Sequence, residues 1–284
     1  MQMAINRKSA ECADKRDWGC FVPRRRLTKG NLLRAARIGC VGAAILGGGS
    51  DRAFSQVPEG LSSAEKCLAA NPTLSLRVVL PRTAARLKAG EPLRIVAVGS
   101  SSTVGLWVLR SAATYPEVMR QELLRLRSNA SIRVINSGRV GDTIQDNIAR
   151  FERDVLAYKP DLVIWQLGTN DVAWGGRPDD LLRNRVVEGV RALKASSGDV
   201  ILMDLQYAPL VLASAYYSTM EAIITDVAKQ ERVGLFSRFA LMRNSIDAGV
   251  SRGALVSWDG LHNTADGYDC IGRALARAIL NSTR

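Results

Sequence analysis

From residue 93 onward, five short runs rich in Val, Ile and Leu alternate with longer stretches whose apolar residues recur every three or four positions. The runs are Arg94–Val98, Ile132–Ile135, Leu162–Trp165, Val200–Met203 and, more weakly, Val233–Phe236. A run without polar alternation suits a strand covered on both faces, and a helix between successive strands returns the chain to start the next one in the same direction. The spacing predicts helices over Tyr115–Arg127, Thr143–Leu156, Leu181–Ala195, Ala213–Gln230 and Ala265–Leu280. In the first, Val118, Met119, Leu123, Leu124 and Leu126 supply the apolar side. The expected fold class is therefore α/β, a single three-layer α/β/α sandwich around a central parallel sheet of about five strands, spanning residues 93–284.

What precedes that domain reads differently. Residues 57–92 are broken by Pro72, Pro81, Gly90 and Pro92, with room for a short helix over Thr83–Lys88, and are expected to be an extension packed on the domain. Residues 1–55 hold eleven Lys/Arg against four Asp/Glu, +7 of the chain's +12, so the remaining 229 residues carry only +5. That body has no dense basic stripe and no aromatic-plus-arginine face, which disfavours nucleic acid as a partner. The basic string Arg24-Arg25-Arg26-Leu27-Thr28-Lys29 runs into twelve apolar or small residues, Ile38 to Gly49. Twelve is too few for a bilayer-spanning helix, which needs about 20, but a basic segment, a short apolar core and then small residues is the layout of a secretory signal. The arginine string also resembles a twin-arginine export signal. Residues 1–56 are thus expected to be a signal or disordered segment, and the mature protein to be periplasmic or secreted without stable membrane insertion. An uncleaved amphipathic anchor is the competing reading.

Of five cysteines, Cys12, Cys20 and Cys40 lie in that leader, leaving Cys67 and Cys270. In an oxidising compartment such a pair is a disulfide candidate, with two free thiols as the alternative. No Cys/His spacing suggests a metal site.

Four short strings carry the chemistry. Gly99-Ser100-Ser101-Ser102-Thr103-Val104-Gly105 follows the first strand, where a tight turn presents a serine hydroxyl and free backbone N–H groups at the sheet's edge. Asn136-Ser137-Gly138-Arg139-Val140-Gly141-Asp142-Thr143 follows the second. The Gly138 amide is its candidate donor to a developing negative charge, and a helix N-cap at Asp142 or Thr143 is a compatible use of the same string. Gly168-Thr169-Asn170-Asp171 follows the third, and Asn170 offers a neutral side-chain donor. Asp259-Gly260-Leu261-His262 contains the only histidine in 284 residues, with an aspartate close enough to fix its tautomer. The first three lie just past predicted strand ends, where open parallel sheets bind ligands, and the fourth lies in the loop before the last helix.

In this order the four strings resemble the SGNH (GDSL-type) hydrolase superfamily, over about residues 93–281. The resemblance implies a flavodoxin-like fold, Ser101 as nucleophile, the Ser101 amide, Gly138 and Asn170 as the oxyanion hole, and Asp259 with His262 as the acid–base pair. It also departs from the superfamily: the first block usually reads Gly-Asp-Ser, whereas this chain has Gly99-Ser100-Ser101. Thr103 and Gly105 match later positions and select Ser101, with Ser100 and Ser102 as alternatives. The implied activity is hydrolysis of carboxylic esters, with short acyl or acetyl esters on carbohydrate favoured, and with no metal or organic cofactor. The expected partner is a small-molecule or glycan ester. Trp174 and Trp258 are candidate substrate contacts, with rim packing as the plain alternative. An O-acyltransferase on the same residues, or a non-catalytic carbohydrate-binding protein, are the competing functions.

Overall fold

The computed structural model describes residues 60–284. The export signal expected within residues 1–56, with Cys12, Cys20 and Cys40, lies outside the described residues. Five strands form one sheet: β1 Leu93–Gly99, β2 Ile132–Gly138, β3 Leu162–Gln166, β4 Asp199–Met203 and β5 Gly234–Phe236. All pairings are parallel, in the order β2-β1-β3-β4-β5. The central strands β3 and β4 are buried at every position, as their apolar runs Leu162–Trp165 and Val200–Met203 require, while the edge strand β2 is half-exposed.

Helices cover both faces, making the three-layer α/β/α sandwich. On one face the helices Tyr115–Leu126 and Ala265–Asn281 pack together, with Ser63–Ala69 and Arg238–Asp247 beside them. On the other, Asp180–Ser197 packs between Ile144–Ala149 and Tyr217–Glu231. The core is the apolar stripe of each helix against the sheet: Val118, Met119 and Leu123 from one, Ile271, Leu275 and Ile279 from another, Val186, Val190 and Leu193 from a third.

The extension is tied down at three points. Cys67 and Cys270 are joined by a disulfide, with Cα atoms 5.9 Å apart, which fastens helix Ser63–Ala69 to the last helix. Helix Pro81–Ala89 lies across the N-terminal ends of the strands: Thr83 donates its amide and hydroxyl to Asp199 Oδ2 at 2.7 and 2.8 Å. Arg82 and Arg86 donate to Asp161, which also accepts from the Arg94 amide. The Asp161 and Asp199 anchors sit at the sheet end opposite the four strings.

Two helices differ from the sequence expectation. The predicted helix over Thr143–Leu156 breaks at Arg150 (φ −118°, ψ 6°) into Ile144–Ala149 and Phe151–Asp154. The break lets the buried Arg150 guanidinium donate to Asp142 Oδ2 (2.6 Å), Ser137 O (2.8 Å) and Gly99 O (3.0 Å), so one side chain ties the ends of β1 and β2. The expected Ala213–Gln230 helix starts at Tyr217, because Pro209–Leu212 forms its own turn first.

Candidate active site

Strands β2 and β3 lie on opposite sides of β1, so the chain reverses its direction of travel across the sheet there. Such a reversal opens a crevice beyond the carboxyl ends of β1 and β3. Ser101 opens the short helix Ser101–Val104 directly beyond β1, and Thr169–Ala173 begins just beyond β3.

The three consecutive serines have distinct environments. Ser100 donates its amide and its hydroxyl to Gln166 Oε1, both at 2.9 Å, and is thereby committed to holding the turn. Thr103 Oγ1 donates to the same oxygen at 3.1 Å. Ser102 Oγ is sealed in the interior without a hydrogen-bond partner. Ser101 Oγ lies 2.7 Å from His262 Nε2. Only Ser101 pairs a hydroxyl with the imidazole.

The loop bearing His262 is pinned from several sides. The Ser257 amide donates to His262 O at 2.7 Å, Val256 bridges Asn263, and the buried Gln206 Nε2 donates to Leu261 O at 3.1 Å. Gln206 Oε1 in turn accepts from Thr169, next to Asn170, and from the buried Arg238, so one amide braces both loops. Asp259 Oδ2 lies 2.6 Å from His262 Nδ1 and also accepts the Trp107 indole N–H at 2.7 Å. Asp259 Oδ1 accepts the amides of Leu261 and His262, both at 3.0 Å. Burial works against the Asp259 charge, but the bonds from His262, the two amides and Trp107 outweigh it and hold the carboxyl down to about 2. An ionised Asp259 accepting from Nδ1 leaves Nε2 as the acceptor that faces the serine.

The glycine string after β2 divides its roles. Gly138 is wedged under the serine turn: a β-carbon there would meet Val104 N at 2.4 Å and Ser100 O at 3.0 Å. Its amide already donates to Asn136 Oδ1 at 3.0 Å. Gly138 permits close backbone approach, and its N–H is engaged rather than presented. Gly141, at φ +85°, borders open space, and its amide makes no hydrogen bond among the described residues. The same loop is clasped by the third string. Asn170 Nδ2 donates to Asp142 O at 2.9 Å, and Asp171 accepts the Ile144 amide. Burial pushes the Asp171 carboxyl up to about 6 against those amide bonds. Asn170 Nδ2 carries a second hydrogen, and the Ser101 amide likewise makes no hydrogen bond among the described residues.

The family described as non-GDSL lipase-like matches residues 66–284. The chain belongs to that family. It is an ester hydrolase of the SGNH-like superfamily. Among curated relatives, it is 30% identical over 186 residues to an acetylxylan esterase of Geobacillus stearothermophilus, covering 59% of this chain and 75% of that protein. It is 22% identical over 187 residues to an arylesterase of Vibrio mimicus, covering 66% and 88%. A solved structure of the Geobacillus stearothermophilus acetylxylan esterase shares the fold with a TM-score of 0.57 at 23% identity, over 66% of this chain and 94% of that one. A two-domain esterase active on acetylated mannans does so with a TM-score of 0.63 at 23% identity, over 73% and 55%.

For this non-GDSL lipase-like chain, several site-building residues have no local sequence signal. Gln166, Gln206 and Arg150 act across 66, 55 and 51 residues respectively. Trp107 reaches Asp259 across 152 residues and holds a left-handed backbone (φ +71°), which costs a bulky residue about 1–3 kcal/mol. Of the two tryptophans expected near substrate, Trp258 meets Trp107 ring to ring at a tilt beside Asp259, whereas Trp174 is exposed at the end of helix Thr169–Ala173 with no ring partner among the described residues. Among the described residues no cluster of His, Cys, Asp and Glu is arranged to hold a metal ion, and no helix is long and apolar enough to cross a membrane.

Proposed function

We propose that this chain is a serine esterase that removes short acyl groups, acetyl above all, from carbohydrate through an acyl-enzyme on Ser101. The observation that carries the reading is the unbroken line from Ser101 Oγ to His262 Nε2 (2.7 Å) and from His262 Nδ1 to Asp259 Oδ2 (2.6 Å). Ser101 Oγ attacks the ester carbonyl carbon while its proton passes to His262 Nε2, and Asp259 steadies the resulting imidazolium. The oxyanion accepts from the Ser101 amide, the second Asn170 Nδ2 hydrogen and the Gly141 amide, in preference to the engaged Gly138 amide. Collapse breaks the bond to the alcohol, which leaves with the proton from His262. Water then repeats attack on the acyl-enzyme and releases the acid. These steps use only groups of the chain and water.

The acetyl and carbohydrate preference is supported by the relatives, one named an acetylxylan esterase and another structure described as active on acetylated mannans. Solved variants of the Geobacillus enzyme with a serine or a histidine replaced by alanine are described as catalytic mutants. Removal of residues 1–56 on export, with 57–92 retained as an extension of the 93–284 domain, accords with the Cys67–Cys270 disulfide, since such bonds persist in oxidising compartments.

p-Nitrophenyl acetate hydrolysis by the mature protein provides the test. Ser101→Ala and His262→Ala are each expected to lower kcat by on the order of 10⁴-fold, and a serine-directed fluorophosphonate to label Ser101 alone. Equal hydrolysis by wild type and both variants, or labelling of Ser100 or Ser102, defeats the assignment.

A further inference from the structure

Trp107 is 53% and Trp258 83% exposed, and their rings sit 5.4 Å apart at an interplanar angle of 54°. Large aromatic rings left in water next to a reactive centre mark a surface that something covers. Their placement is held at a cost, because Trp107 adopts a backbone conformation that tryptophan disfavours and is kept there with its indole N–H on Asp259 Oδ2. Trp258 directly precedes Asp259 in the chain. The pair is therefore tied to the acid–base couple at both members, once by a hydrogen bond and once by a peptide bond. Each ring lines its own cleft of about 570 Å³. Trp107 lines one with Val108, Ser111 and Asn136, and Trp258 lines the other with Pro209, Arg252 and Thr264.

We propose that Trp107 and Trp258 form the platform on which the sugar ring of an acetylated glycan stacks, with the chain running into the flanking clefts while its acetyl group is presented to Ser101. The inference rests on the esterase reading above and adds to it the surface that recognises the alcohol half. A pyranose ring is apolar on its C–H faces and polar around its rim, which matches an indole face bordered by polar groups such as Arg252, Ser111 and Asn136. A free acyl chain would need an enclosed apolar tunnel, and these two clefts are open and mixed in character. Trp107 also acts as a positioning residue: its N–H and His262 Nδ1 meet on the same carboxylate oxygen, so a sugar settling on the rings fixes the group that orients the imidazole.

The test compares kcat/KM on chemically acetylated xylohexaose with kcat/KM on p-nitrophenyl acetate in wild type, Trp258→Ala, Trp258→Phe and Trp107→Phe. Trp258→Ala is expected to lower the glycan-to-nitrophenyl ratio by about tenfold or more, through KM for the oligosaccharide, and Trp258→Phe to restore most of it. Trp107→Phe keeps a ring but loses the N–H, so kcat on both esters is expected to fall by about two- to tenfold. A ratio in Trp258→Ala within about twofold of wild type overturns the platform. So does a wild type that cleaves p-nitrophenyl acetate but leaves the oligosaccharide untouched. Light scattering that shows a wild-type dimer dissociating in Trp258→Ala assigns the surface to a second copy of the chain and also overturns it. Should the variants not fold, titrating wild type with deacetylated xylohexaose to millimolar concentration decides the matter: unchanged tryptophan emission overturns the platform. A wild type inert on both esters and unlabelled by fluorophosphonate is a different result, the failure of the esterase reading itself.

Discussion

Asn170 gives one amide hydrogen to Asp142 O and so holds the loop after β2, and under the proposed mechanism its second hydrogen serves the oxyanion. Asn170→Ala is expected to lower kcat on p-nitrophenyl acetate by about 10²–10³-fold, the usual cost of one oxyanion donor. KM should change little, because the donor acts most strongly on the transition state. Steady-state kinetics check this, and a loss confined to KM would move Asn170 to ground-state binding. At this scale the sequence was legible where a residue's neighbours in the chain also make its site. The choice of Ser101 among three serines rests on the resemblance, through Thr103 and Gly105; what separates the three in the structure is the Gln166 oxygen, which takes Ser100 and Thr103 and leaves the Ser101 hydroxyl beside His262. The string after β2 was harder to read, since it contains two glycines. Which amide faces outward depends on the Asn136 side chain capturing Gly138 N–H, a rotamer-level fact without a pattern. Trp107 was invisible for a related reason: a tryptophan at positive φ breaks the local rule, and its partner is distant in sequence.

Helix Ser63–Ala69 has only seven residues and would be marginal alone, so its presence depends on what it is fastened to. Cys67 binds it to Ala265–Asn281, and Asn71 just beyond it donates to Cys67 O and to Leu241 O in helix Arg238–Asp247. Cys67→Ser is expected to cost about 2–4 kcal/mol and to lower Tm by roughly 5–15 °C at this size. Reduction of wild type should produce the same shift and reduction of the variant none, as read by thermal circular dichroism. The long-range elements were the legible ones. Strands β1, β3 and β4 declare themselves because burial on both faces demands an uninterrupted apolar run. Helix Arg238–Asp247 did not, since its first residue is an arginine that is entirely buried, with Nε and Nη2 on Asp204 O and Nη2 also on Gln206 Oε1. A charged residue at a core position reads as surface until its partners are known, and those partners come from the loop beyond β4, more than thirty residues earlier. The break at Arg150 has the same origin.

For the whole molecule, carboxylates with opposite environments set how stability follows pH. Asp154, bonded to Arg153 and facing Arg139 and Arg150, is held down to about 2 from an ordinary 3.8, as is Asp259. A carboxylate with a depressed folded pKa stabilises fully above its unfolded value and loses that contribution as pH falls through the folded one. These two therefore give up stability between about pH 4 and pH 2. Three buried carboxyls do the reverse. Asp171 is pushed up to about 6 by burial, while Asp204 and Glu221 lie against each other beneath the site, each raised by burial and Glu221 further by the Asp204 charge. A raised folded pKa means stability that is complete below the unfolded value and lost as pH climbs through the folded one. The protein should therefore be most stable near pH 4–5, about where the acid limb ends and the alkaline decline begins. Glu221→Gln removes one titration while preserving the shape of the side chain and its acceptor for the Leu205 amide. Its Tm measured from pH 5 to pH 9 should decline less steeply than that of wild type, with the two curves furthest apart at the alkaline end. Parallel curves would mean that Glu221 keeps its charge when folded, leaving Arg238 to neutralise both carboxylates rather than one.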